Sequence, residues 1–240
     1  MRALIFWVWA VFLLQAAHAH AVPPAQLTLE YDMIYNGTAM AQVVNRVEHD
    51  QKSYLITEEV RGKGFYALLR AGAVRRVARG TIGAGGLKPT EFRDRRGDAP
   101  ENVAHFDWAK ASLVQGQDGK GETRAMPATT ADQPISDRLS FLWNFAFRSS
   151  EFVRSGKEVS ALLSDGRGLS SFRYLVTGAE TLKTQAGMLE TVKLVKQRDP
   201  GDDRGTEIWL ATERHYLPVR ILVIEKDGTR IDQVVTRIGA

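Results

Sequence analysis

Regular alternation of apolar and polar residues, repeated between turn signals, is the feature of this sequence that most limits its fold. Near the start, every second residue is apolar: Leu27, Leu29, Tyr31, Met33 and Tyr35. This period of two places all five side chains on one face of a β-strand. Asn36 and Gly37 follow, and they suit the two-residue turn of a β-hairpin because both tolerate positive φ angles. The segment therefore predicts a hairpin with one apolar face.

The same pattern recurs to the end of the chain and predicts an all-β fold. Further strands are expected over 38–47, 53–61, 74–82, 91–96, 103–115, 157–163, 170–177, 188–198, 206–210, 217–225 and 229–238. Glycine-rich or Asp- and Pro-rich segments, such as 83–86 and 199–205, separate them. We predict a single antiparallel β-barrel, or a strongly curved sheet, of about eleven strands with one short helix.

The helix is expected over 136–145. Ser136 suits the N-cap position and Asp137 suits the first turn. Apolar residues recur after them at helical spacing, at Leu139, Leu142, Trp143 and Ala146. A short helix of this kind is expected to plug one end of a barrel or to pack across its mouth.

The first residues predict export. Met1 and Arg2 precede an apolar run over 3–14 and the small residues around Ala17 and Ala19. This pattern is typical of a secretory signal peptide, expected over residues 1–19 or 1–21, which leaves 20–240 as a single barrel domain outside the cytoplasm. The chain has no cysteine. We therefore expect no disulfide, no thiolate chemistry and no lipoprotein anchor. No later apolar run is long enough for a transmembrane segment, so the mature chain is expected to be soluble.

The charge pattern and the motifs argue against several functions. A net charge of +4 is small for 240 residues and predicts no nucleic-acid partner. Arginines cluster over 70–79 and 93–96, where they could meet anionic lipid or simply form a solvated face. His105 and Asp107 share a strand face, for which a surface pairing is the simpler interpretation. No nucleophile elbow, metal motif or phosphate loop is present, so we predict no enzyme activity, no metal and no cofactor.

Three segments carry a resemblance to a known family. They are Tyr31–Gly37 after the signal peptide, the Glu-Ile-Trp-Leu segment 207–210, and the Tyr-Leu-Pro-Val-Arg segment 216–220, with Gly187 before a strand. Together they resemble the exported bacterial family called domain of unknown function 3108, over most of the mature chain. The resemblance implies a closed antiparallel barrel in the periplasm, similar to polyisoprenoid-binding barrels and, more loosely, to lipocalins. It implies no catalytic residue, since the family has no established activity.

A barrel of this size could enclose an apolar ligand. Alternation and motif position give the expected ligand-binding residues Tyr31, Met33, Tyr35, Phe65, Tyr66, Trp143, Trp209 and Arg220. The leading hypothesis is a periplasmic, non-enzymatic carrier or sensor of a lipid or isoprenoid. The alternative is an envelope module that binds a protein or an anionic glycolipid, and an enzyme assembled from distant residues is the third.

Overall fold

A computed structural model describes residues 22–64, 67, 74–130 and 133–239. The predicted signal peptide, Phe65 and Tyr66 lie outside the described residues. Within these ranges the protein is all-β, with fifteen strands in one sheet and one short α-helix. The strands are β1 (Gln26–Tyr35), β2 (Thr38–His49), β3 (Ser53–Gly62), β4 (Val74–Gly83), β5 (Gly86–Arg96), β6 (Asn102–Asp107), β7 (Ser112–Gln117), β8 (Thr123–Ala125), β9 (Ile135–Asp137), β10 (Glu158–Ser164), β11 (Leu169–Thr184), β12 (Gly187–Lys196), β13 (Gly205–Ala211), β14 (Leu217–Ile224) and β15 (Arg230–Gly239).

The sheet is an antiparallel meander that is joined in its middle by the first and last strands. Its order is β8-β7-β6-β5-β4-β3-β2-β1-β15-β14-β13-β12-β11-β10-β9. Neighbours run antiparallel except β9, which lies parallel to β10. The pairing of β1 with β15 therefore makes the two halves of the chain one continuous sheet.

The sheet is not closed, which corrects the expectation of a closed barrel. Along a seam, β9 and β10 approach β5, β6 and β7, and no strand pairing joins these two sets within the described ranges. At the seam, Ser164 Oγ donates a hydrogen bond to Gln115 Oε1 at 2.5 Å. Gly166, with φ of 84°, lies so near Asn102 that a Cβ there would come within 2.9 Å of its backbone carbon. The molecule is thus a rolled sheet with a seam, held there by side-chain contacts and close backbone approach.

The strand count also differs from the expected eleven, for local reasons. The segment predicted as one strand over 103–115 is broken by a turn at 108–111, where Ala111 has a φ of 46°. It forms β6 and β7. β8 and β9 have three residues each, which is too short for alternation to reveal.

The helix α1 (Arg138–Asn144) packs on one face of the sheet, which we call the inner face. Asp137, and not Ser136 as predicted, is its N-cap: its Oδ1 accepts from the backbone N–H groups of Leu139 and Ser140 at 2.9 and 2.8 Å. Ser136 belongs to β9 instead. Leu139 and Trp143 join one apolar cluster, while Phe141 joins the other. The helix therefore fills the middle of the rolled sheet. None of the helices in the described ranges has the length and apolar character needed to cross a membrane.

Candidate functional site

The inner face of β1 runs from the core out to solvent. Tyr31 is fully buried, Met33 is half-buried, and Tyr35 is 43% exposed. The Tyr31 hydroxyl donates to the Pro218 carbonyl oxygen at 2.7 Å, which fixes this ring at the base. The three predicted ligand residues on β1 therefore share one face, and that face opens at the end of the sheet where the β1–β2 hairpin turns. We call this the open end.

Two neighbouring strands extend the exposed part of this face. Met33 pairs with Gln233, and Gln233 pairs with Ile221. One step further out, Tyr35 pairs with Ile231, which in turn pairs with Val223. Directly paired residues present their side chains on the same face. We define the apolar wall as Met33, Tyr35, Ile221, Val223 and Ile231; all of them are half-buried or exposed.

Gln233 lies in the middle of the apolar wall. Its side-chain nitrogen is buried and has no hydrogen-bond partner within the described ranges. A buried donor without a partner costs about 1–3 kcal/mol. The wall therefore contains one unsatisfied polar group among its apolar side chains.

Charged residues occupy the adjoining part of the inner face. Asn45, Glu58, Arg76 and Asp94 lie side by side on β2, β3, β4 and β5, and we call them the ionic row. Glu58 and Asp94 are only 6% and 3% exposed. Arg76 ion-pairs with Glu58 and lies 3.3 Å from Asp94 Oδ1, while Arg96 donates to Asp94 Oδ2 at 3.0 Å. The row is thus charge-paired within the protein.

The pKa shifts agree with this placement. Burial alone would lower the pKa of Arg76, but the adjacent carboxylates of Glu58 and Asp94 outweigh it, and the net shift is upward. Burial raises the pKa of Tyr31 well above its ordinary value, and the charge of Glu58 adds to the effect. The ionic row therefore adjoins the base of the apolar wall.

A third buried carboxylate lies where α1 begins. Asp137 Oδ2 accepts from Ser140 Oγ at 2.6 Å, and the Tyr54 hydroxyl is hydrogen-bonded to the same Ser140 oxygen at 2.6 Å. Burial raises the pKa of Asp137 to about 6, although these hydrogen bonds act in the opposite direction. This network ties α1 to β3.

The remaining predicted ligand residues within the described ranges are not part of the wall. Trp143 is fully buried on α1. Trp209 alternates with Ile208 and therefore faces the opposite side of the sheet, where the Arg220 guanidinium lies 4.5 Å from its ring. Arg220 binds Asp232 through two hydrogen bonds of 2.9 and 2.7 Å. The structure thus places Tyr31, Met33 and Tyr35 on one strand face, whereas Trp209 is buried in the same apolar cluster as Tyr31 and contacts Arg220 on the outer side of its strand.

The described part of the protein has further openings, one of them a polar pocket of about 210 Å³ between Gln115, Glu122, Arg124 and Arg167. A narrow cleft of about 40 Å³ lies at the seam, between Leu87, Ser136, Phe141 and Val159. A wide groove of about 650 Å³ runs along the ends of β1–β5 and is lined by both charged and apolar residues, including Glu48, Leu55 and Arg79. The cleft is too small for a lipid chain, and the groove is open to solvent.

The predicted pairing of His105 with Asp107 does not form. His105 Nδ1 lies 3.4 Å from Glu91 Oε2, and Asp107 instead contacts Lys110. Within the described ranges, no group of three or more His, Asp or Glu side chains is placed to hold a metal ion.

Sequence reasoning missed the ionic row and the β14 and β15 part of the wall. Glu58 follows Tyr54 and Ile56 at a spacing of two, so a charge at an otherwise apolar position was the available signal. The wall residues Ile221 and Val223 lie on a strand that is apolar on both faces, so alternation could not assign their side.

Comparison with solved structures supports the fold. A β-barrel-like protein of domain of unknown function DUF1849 from Brucella abortus superimposes with a TM-score of 0.53 at 9% identity, covering 91% of this chain and 98% of that chain. A protein with a YmcC-like fold from Bacteroides fragilis gives 0.40 at 11% identity, covering 92% and 100%. At such identities the likeness concerns the fold alone, and only the first of the two carries weight.

Comparison of sequences identifies the family. No curated protein matches the chain. The family described as protein of unknown function, DUF3108, matches over residues 30–235, which include the whole apolar wall and the ionic row. The resemblance seen in Tyr31–Gly37 and in the 207–220 region is therefore confirmed, and the chain belongs to the DUF3108 family.

Proposed function

We propose that this protein is an exported, non-enzymatic binding protein of the cell envelope that holds the apolar chain of a lipid or isoprenoid against the apolar wall. One observation carries the proposal. Five apolar side chains on three neighbouring strands remain half-buried or exposed, on the same face that is fully buried at Tyr31. A contiguous apolar surface that folding leaves only partly buried is a candidate interaction site.

The energetics favour an apolar occupant. Each Å² of apolar surface removed from water contributes about 25 cal/mol, so covering several half-buried side chains makes the free energy of binding more favourable. A hydrocarbon chain lying across β1, β15 and β14 would cover all five. The Gln233 amide nitrogen is buried without a partner, so a ligand oxygen would reach it only if this side chain turned outward.

The open end is a better location for the ligand than the middle of the rolled sheet. The middle is filled by α1, whose Trp143 is fully buried, and by Tyr31. A chain bound at the wall needs no displacement of these side chains. Trp143 and Tyr31 would then support the floor of the site without being replaced by ligand.

A matched pair of variants tests the proposal. Val223→Asn places an amide on the wall, while Val234→Asn makes the same change on the outer face of the adjoining strand β15. The protein would be purified from the periplasm, examined by native mass spectrometry and extracted with organic solvent. We expect a co-purifying apolar species, and binding of the neutral probe dodecanol that Val223→Asn weakens about tenfold. Val234→Asn should bind dodecanol like the unmodified protein.

The opposite result is equally clear. An unliganded mass that does not change on adding dodecanol would contradict the proposal. It would favour the alternative hypothesis, a module that binds an envelope protein or glycolipid, for which the open groove along β1–β5 is the place to look.

A further inference from the structure

Arg138 differs from the other inward-facing arginines at the open end, Arg76 and Arg96. It is exposed, and within the described part of the protein it makes no hydrogen bond or ion pair. By contrast, Arg76 and Arg96 are both engaged with Asp94. Arg138 is therefore a guanidinium whose donors remain available.

Its position is fixed by the elements on either side. Arg138 directly follows Asp137, which pairs with Ser164 at the end of β10. It begins α1, which packs against β4 and β5, the strands that carry Arg76 and Asp94. The guanidinium therefore lies beside the ionic row, on the inner face.

The electrostatic surroundings agree with this position. Partial burial lowers the pKa of Arg138, and the charges of Arg76 and Arg204 act in the same direction. Asp165 and Asp94 oppose the shift. Asp165 is itself paired with Arg167, and Asp94 with Arg96. One positive charge thus remains uncompensated at the edge of the ionic row.

We infer that the ligand is an amphiphile with one anionic head group, a carboxylate or phosphate, that pairs with Arg138 while its chain lies on the apolar wall. This inference rests on the proposed function and specifies its ligand class. A guanidinium presents two parallel N–H donors that match either group. The ionic row cannot play this part, because its own carboxylates already occupy Arg76 and would repel a second anion.

The test compares dodecanoate, dodecanol and dodecyl phosphate, which share one chain, together with inorganic phosphate. The variant is Arg138→Gln, with Arg61→Gln as the control; Arg61 is an exposed arginine at the same end whose neighbour Val60 takes the inner face. We expect the protein to prefer the anionic probes to dodecanol about tenfold. Arg138→Gln should abolish that preference without changing dodecanol binding, Arg138→Lys should keep part of it, and Arg61→Gln should keep all of it.

Each of the other possible outcomes would contradict a specific part of the inference or the proposed function. Equal affinity for dodecanol and dodecanoate would overturn the anionic head group but leave the proposed function standing. Inorganic phosphate binding as tightly as dodecyl phosphate would show a site for a free anion and overturn the amphiphile. Equal loss of dodecanol and dodecanoate in Arg138→Gln would show a structural role. Failure of every chain to bind would overturn the proposed function itself.

Discussion

The apolar wall and the ionic row are two parts of one inner face. Apolar side chains are usually buried and charged ones exposed, and each part departs from one half of this rule. The wall leaves apolar side chains half-exposed, whereas the row buries the carboxylates of Glu58 and Asp94. The row is balanced inside the protein, because Arg76 lies between its two carboxylates. Met33 and Ile221 pack partly against the core, while Tyr35 at the rim of the wall remains exposed. The row therefore has its charges balanced within the protein, whereas the wall keeps part of its apolar surface in water.

The largest loss of stability is expected when the ionic row loses its central cation. Arg76→Met keeps much of the side-chain volume but leaves Glu58 and Asp94 buried without their shared cation. Removing one partner of a buried ion pair destabilises by about 3 kcal/mol or more. Urea unfolding should therefore show a large fall in the free energy of unfolding. Val223→Ala on the wall serves as the comparison and should cost about 1 kcal/mol.

If Arg76→Met and Val223→Ala lower the free energy of unfolding equally, the ionic row and the apolar wall do not differ in their contribution to stability. A loss below about 1 kcal/mol for Arg76→Met would show that water already reaches the row and replaces the missing cation.

The next prediction concerns Asp137, a buried carboxylate whose neighbours are hydrogen-bond donors and not an arginine. Its pKa is raised from 3.8 to about 6, so the folded state binds a proton between these values that the unfolded state does not. This contribution to stability is greatest at low pH and is lost as pH rises from about 4 to 6. The shift corresponds to about 3 kcal/mol.

Asp137→Asn isolates this effect. Asparagine still accepts from the backbone N–H groups of α1 but does not titrate. The difference in unfolding free energy between the unmodified protein and the variant should move in favour of the unmodified protein as pH falls from about 6 to 4. Urea unfolding of both proteins over that pH range measures this difference in free energy. Exposed carboxylates such as Asp50, whose pKa is lowered to about 2, titrate alike in both proteins, so their contribution cancels. A difference that stays constant with pH would place the Asp137 carboxylate in contact with water.

The sequence predicted the strands better than their closure. Alternation from Leu27 to Tyr35 and the Asn36-Gly37 turn identified the first hairpin, because period and turn chemistry are local properties. The seam depends on how Ser164 meets Gln115, which are 49 positions apart. No local pattern encodes that approach, so an open rolled sheet and a closed barrel are alike in sequence.

The site was predictable to the same limited extent. Met33 and Tyr35 could be placed on one face from their spacing, and the structure places them on the wall. Trp209 and Arg220 were predicted to bind ligand from their motif, but the structure pairs them with each other across β13 and β14, on the side opposite Ile208. Arg138 gave no signal, since a single arginine at the start of an apolar helix is ordinary and its inward position without an ion-pair partner is seen only in the structure.

The smallest expected effect on stability comes from substitutions at exposed apolar residues, which can weaken ligand binding without destabilising the fold. Tyr35 and Met188 are both exposed apolar residues near hairpin turns, at 43% and 65% exposure, and only Tyr35 belongs to the wall. Tyr35→Ser and Met188→Ser should each change the free energy of unfolding by less than about 0.5 kcal/mol, because neither side chain is buried. Tyr35→Ser should nevertheless weaken dodecanol binding several-fold, since the ring covers the outer end of the wall, whereas Met188→Ser should not. If the two variants bind dodecanol equally well, the chain does not reach the rim, and the site is confined to Met33, Ile221 and their immediate neighbours.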